Sequence, residues 1–194
     1  MANQDAAFGM RPVKMIGGAP YTGGQSRYRI AANYGTAIFQ GDMVAKVTGG
    51  GIEVHADGGT VPIVGVFNGC RFTDPTTGKE TFSNFYPAST NASDIEAFVI
   101  DDPNVVYEVQ ADAAFPVADL FGNFDIVYTS SGSTVTGISG AELDVTTGAT
   151  NTNLPIKAID ISQDPENSDV GSDATNVLVV IQNHIFGVKG AGLA

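Results

Sequence analysis

Tryptophan is missing from this chain of 194 residues, cysteine occurs once, histidine twice, and lysine and arginine together only nine times. Each shortage removes a class of function. The single thiol, Cys70, cannot close an intramolecular disulfide, so the core must hold the fold, and an unpaired cysteine fits synthesis in a reducing interior. Read alone, Cys70 is a small buried hydrophobe or an inert surface thiol. His55 and His184 lie far apart and without a cysteine pair, which argues against a zinc site. Nine basic side chains against 21 acidic ones, a net charge of -12, argue against a broad nucleic-acid face, because such a face needs clustered Lys and Arg to displace counterions. Without tryptophan, a glycosidase cleft lacks its strongest sugar-stacking group. Long apolar runs are also missing. The longest aliphatic run, Val177 to Ile181, is far short of the roughly 20 residues that span a bilayer, and no continuous apolar segment follows the first positive charges. Neither a membrane partner nor an export signal is expected.

Catalytic motifs are equally scarce. There is no phosphate-cradling G-x-x-x-x-G-K-[ST] loop and no G-x-G-x-x-G turn between a strand and a helix. The "GISGA" around Ser139 has only part of a nucleophile elbow and no strand-turn-helix setting, so a triad of Ser139, His184 and an aspartate is only arithmetic. The acidic loop with Asp164, Glu166, Asp169 and Asp173 fails the EF-hand pattern, since the sixth residue from Asp164 is Asp169 where a glycine is required. It reads as a solvated turn. No enzyme, no cofactor and no metal is expected.

What is present is period-two alternation. In "VVYEVQA", Val105, Tyr107, Val109 and Ala111 fall on one side and Val106, Glu108 and Gln110 on the other, the pattern of a half-buried strand. "DMVAKV", "GIEVHA", "VPIVGVF", "EAFVID", "NFDIVY", "PIKAIDI" and "NVLVVI" are similar short runs bounded by turn-formers, which makes about ten strands in all. "PVADLFG" carries the one helical signal, with Pro116 suited to a first helical position and Gly122 to the residue beyond the end. The expected fold is all-β, an antiparallel β-barrel or sandwich, jelly-roll-like among the options, with at most one short helix. Residues 1–26 read as an extended N-terminal arm, hinged at Gly17, Gly18, Gly23 and Gly24. Residues 27–194 read as a β-rich body with two subdomains divided within the polar stretch 73–94.

Charge is uneven along the chain. Residues 1–30 carry Arg11, Lys14, Arg27 and Arg29 against Asp5, a net +3, which leaves -15 for the rest of the -12 total. A basic head on an acidic body suits an arm made for a partner. Phe8, Met10 and Met15 would enter apolar grooves while Arg11 and Lys14 meet acidic groups. In "NVLVVI" both faces are apolar, so Leu178 and Val180 need a cover that Val177, Val179 and Ile181 do not share. That cover is a second sheet of the same chain or another copy of it; Phe82, Phe85 and Tyr86 of the polar stretch either pack under their own loop or join Leu178 and Val180 as the candidate contacts with other copies, aromatic side chains being enriched at interface cores.

The segments "MANQDAAFGMRPV", "YRIAANYGTAIFQGDMV", "VPIVGVFNGC" and "NVLVVIQNH" together resemble small proteins encoded beside the major capsid protein in tailed bacteriophages, especially marine and cyanobacterial ones. Those proteins serve as head decoration or cement proteins. The resemblance covers most of the chain, and "IFQGDMV" followed by a Gly-rich hairpin and "IVGVF" carries most of it. It implies a non-enzymatic virion protein made in the host cytoplasm and placed on the outer capsid surface, where it bridges major capsid subunits. It further implies self-association as a homotrimer, with a dimer as the other option. A tail or baseplate component and a carbohydrate-binding virion module are the alternatives.

Overall fold

The computed structural model describes residues 3–187. These residues form twelve strands in two antiparallel sheets, sandwich-like and not closed into a barrel. Eight strands lie where the alternation places them: β3 (Met43–Lys46), β4 (Ile52–Val54), β5 (Ile63–Thr73), β7 (Glu96–Ile100), β8 (Val105–Gln110), β9 (Asn123–Tyr128), β11 (Ile156–Ile161) and β12 (Asn176–Ile181). Four more, β1 (Arg11–Met15), β2 (Ser26–Arg29), β6 (Glu80–Ser83) and β10 (Ala141–Ala149), carry too few buried apolar residues to stand out in the sequence. The helical signal becomes a single 3-10 turn, Val117–Asp119, with Pro116 capping it from outside, and a second such turn spans Pro165–Asn167.

The first sheet runs β1-β8-β12-β11-β9-β10. The second runs β2-β7-β5-β3-β4, with β6 paired to β5. The chain crosses from the second sheet to the first at residues 101–104, between β7 and β8, and not within 73–94. That stretch belongs to the second sheet, through β6 and through Tyr86, whose backbone exchanges two hydrogen bonds with Ile38.

Two cores result. One lies under the first sheet and takes Tyr107, Val109, Phe124, Ile126, Val177 and Val179 from it, joined by Met43, Ile63, Val66 and Ile100 from the second sheet. The other lies on the opposite side of the second sheet and contains Val44, Val64, Phe67, Cys70, Tyr86 and Val99. The second sheet is therefore buried on both sides over much of its area, which explains the near-continuous apolar run at the start of β5. Ile63 and Val66 face one core while Val64 and Phe67 face the other.

The seam is made by "IFQGD". Met10 N–H donates to the Gly41 carbonyl at 2.9 Å, Gly41 N–H to Phe67, Gln40 N–H to Gly137, and Ser139 N–H back to Gln40. Asp42 is buried there. It accepts a hydrogen bond from Phe39 N–H at 2.7 Å and another from the Ser139 hydroxyl.

This seam corrects the expectation of a free arm over 1–26. Residues 11–15 are an edge strand paired with β8, and Met10 is 2% exposed within the first core. The apolar residues of this segment are too sparse to show a period, yet the one at position 10 falls where both sheets leave room for it. The proposed hinge contains a tight turn closed by Gly18 N–H to the Met15 carbonyl.

Candidate functional site

The two strands that carry the basic head are both sheet edges, and they lie on the same flank. β1 borders β8 at the end of the first sheet, and β2 borders β7 at the end of the second. The short β7–β8 connection ties them together: Ile16 N–H donates to the Asn104 carbonyl at 2.7 Å, and the Tyr28 hydroxyl donates to Asp101 at 2.8 Å. Burial, then that hydrogen bond, pushes the Tyr28 hydroxyl up to about 12. A cavity of about 350 Å³ lies at this junction, lined by Met15, Tyr21, Ser26, Asp101 and Val105 among others.

Along β1, Arg11 reaches across to Glu108 on β8, its Nε 3.1 Å from Oε2, with Nη2 donating to the same oxygen. Glu108 is 2% exposed and its Oε1 has no hydrogen-bond partner among the described residues. The alternation of "VVYEVQA" places Glu108 and Gln110 outward and half in water. Both are in fact buried, because β1 and the N-terminal segment cover that side: Gln110 accepts from Ala6 N–H and donates to the Gln4 carbonyl. Phe8 completes the arrangement, its ring centre 4.9 Å from the Arg11 guanidinium carbon. Lys14 has no ion pair among the described residues.

On β2, Arg27 stands 3.6 Å from Glu96, and Arg29 has no ion pair among the described residues. Glu96 is held below the usual carboxylate range first by its hydrogen bond from Arg71, which also pairs with Glu80. The flank is thus basic along each strand and acidic at the connection between them.

The five residues expected to grip a partner are therefore together, although not equally available. Arg11 is exposed, Phe8, Lys14 and Met15 are half-buried, and Met10 is inside. Of the five expected self-contacts only Phe82 is well exposed, at 68%. Tyr86 is fully buried and donates its hydroxyl to the Tyr34 carbonyl, which removes it from any interface. Phe85 stacks on Phe39 at 5.6 Å. Leu178 is 9% exposed and Val180 half-buried in the single chain, so neither requires a neighbouring subunit as cover.

The remaining candidates resolve locally. Ser139 pairs with Asp42 and accepts from Ala141 N–H, so its hydroxyl braces the seam. His184 accepts Phe186 N–H on Nδ1, and burial lowers its affinity for a second proton. Asp164 caps the 3-10 turn of its own loop through Glu166 N–H. No group of three or more His, Cys, Asp or Glu able to hold a metal occurs among the described residues. Cys70 is buried, and burial pushes its thiol up to about 12.

No family model, curated protein or solved structure matches this chain.

Proposed function

We propose that the protein is a non-enzymatic structural component of a virion, bound to the outer surface of an assembled phage head, where it bridges neighbouring major capsid subunits. One observation supports this most directly. The basic residues of the head, in an otherwise acidic chain, are mounted on two edge strands that share a flank. An edge offers backbone groups to an incoming strand where the chain does not already pair with it, which on β1 leaves out Lys14 and Met15, bridged to Pro20 and Ala19, and the arginines and lysine offer charge to an acidic surface. Held at a fixed distance on two sheets, the strands suit a partner that presents two elements, as adjoining capsid subunits do. Many copies on one shell would turn a weak contact into firm attachment.

The test is to add purified protein to heads assembled without it and image the particles by cryo-electron microscopy. Density repeated over the whole head surface, with β1 and β2 facing the shell, is the expected result. Label confined to the tail, or no particle binding beside clear binding to glycans, would reject the proposal.

A further inference from the structure

A second concavity lies elsewhere, built from residues that belong to neither β1 nor β2. It has a volume of about 430 Å³. It is lined by Phe39, Asp42 and Tyr128, by the end of β4 with the turn after it, and by the loop containing Ser131 and Thr134. The size falls within the range of small-molecule sites, which are concave, mostly apolar and furnished with a few convergent polar groups.

The walls are held by the fold. The Tyr128 hydroxyl donates to the His55 carbonyl at 3.1 Å, tying β9 to the turn after β4. Gly132 packs directly on the Phe39 ring: a Cβ there would stand 2.6 Å from two ring carbons. The loop around it is closed by Ser133 N–H to the Ile138 carbonyl and Gly137 N–H to the Ser133 carbonyl. The concavity therefore exists before any ligand arrives, which spares the cost of ordering it.

The charge of the lining is one-sided. Asp42 and Asp57 contribute carboxylates, and among the described residues neither lysine nor arginine lines the space. His55 is 1% exposed, and burial lowers its proton affinity, so it adds no positive charge near neutrality. An anion would meet two carboxylates with no counter-charge. A purely polar ligand would leave Phe39, Val54 and Tyr128 against water. An ammonium on an apolar body satisfies both constraints, its charge meeting the carboxylates and its body the apolar lining.

We propose that this concavity binds a small organic cation, an ammonium carried on an apolar body, with Asp57 at the rim and Asp42 beneath as counter-charges and Phe39 and Tyr128 as apolar wall. The site is independent of the capsid reading and holds whether or not the protein decorates heads. Asp57 is exposed and can be changed without touching the core. Asp42 is buried in the seam, so changing it also alters the stability of the fold.

Three probes of similar shape separate the contributions: phenethylammonium, phenethyl alcohol and phenylacetate. Titrations of the full chain followed by tyrosine fluorescence and ligand-observed NMR should rank the ammonium tightest and the carboxylate weakest. Asp57→Asn should weaken the ammonium several-fold and leave the alcohol unchanged. Thr134→Trp, at an exposed rim position, should fill the opening and abolish binding of every probe while circular dichroism stays that of the wild type. Equal binding of ammonium and alcohol, no binding at millimolar concentration, or unaltered binding to the folded Thr134→Trp protein would overturn the proposal. Tighter binding of a methyl glycoside than of the ammonium would overturn it in favour of a saccharide site.

Discussion

Gly9 and Gly41 meet backbone to backbone where the N-terminal segment enters the seam. A Cβ on Gly9 would stand 2.9 Å from the Gly41 carbonyl oxygen and 2.6 Å from Ser139 Cβ, and one on Gly41 would stand 3.0 Å from the Phe8 carbonyl oxygen. Both also hold positive φ, +68° and +98°. Gly9→Ala should therefore cost about 1–3 kcal/mol through overpacking, with roughly 1–2 kcal/mol more from the left-handed backbone. Gly17→Ala, with open space around it, should lose only the backbone part. Urea unfolding followed by tyrosine fluorescence compares the two, and equal losses would mean the close approach carries no weight.

The same contact changes what truncation should do. Removing residues 2–16 strips β1 from β8 and Met10 from the core, so the remaining chain should unfold without a sharp transition or with a loss of more than about 3 kcal/mol, Met10 alone accounting for about 2–5 kcal/mol by analogy with truncation to alanine. Removing only residues 2–7 takes away the hydrogen bonds to Gln110 and should cost about 1 kcal/mol each. A cooperative, wild-type transition in the longer truncation would show that the first strand is dispensable.

Arg11 and Lys14 should not behave alike when replaced by alanine. Lys14 has no ion pair to lose among the described residues, so Lys14→Ala should leave stability within about 0.5 kcal/mol and, on the proposed function, weaken head binding modestly and lower its salt dependence. Arg11→Ala leaves Glu108 buried without its partner and should cost about 1–3 kcal/mol. Adding Glu108→Gln should recover much of that loss. If the double variant is as unstable as the single one, the pair is not the cause.

Asp42 gives the protein a pH signature. Burial raises its carboxyl from 3.8 to about 6, against the lowering effect of the hydrogen bonds from Ser139 and Phe39. Between those values the folded state binds more protons than the unfolded state. Its contribution to stability therefore falls as pH rises through that window and stays lower above it, by roughly 2–3 kcal/mol. Asn at this position can still accept from Phe39 N–H and can donate to the Ser139 oxygen. Relative to the wild type, Asp42→Asn should gain roughly that amount between about pH 4 and about pH 7. Denaturation curves for the two proteins that shift in parallel across the range would exclude Asp42 as the source.

The parts of this fold that can be read in the sequence are those where one residue type decides a local geometry. Val105, Tyr107 and Val109 alternate because one side of β8 faces a core, and that side is where the pattern puts it. The other side deceived, because Glu108 and Gln110 look like solvent-facing residues and nothing local records that Arg11 and Gln4, about a hundred positions earlier, will cover them. Met10 was invisible as a core residue for the same reason: it has no apolar neighbours at strand spacing and is buried by what both sheets leave open. The flank of basic strands was half legible. Its charges show in the sequence, while their mounting on two sheet edges depends on pairings with β7 and β8 that no local pattern specifies.

The pairing of β1 with β8 also orders events during synthesis. Arg11 and Glu108 are 97 residues apart, so at typical elongation rates β1 is out of the ribosome on the order of 5–20 s before its partner strand exists. Strands β2 to β7 all belong to the second sheet and precede β8, so every strand of that sheet has been made while the first fifteen residues still have no strand to join. That interval leaves the Arg11–Met15 segment without its partner strand, and it ends only when residues 105–110 emerge to claim it.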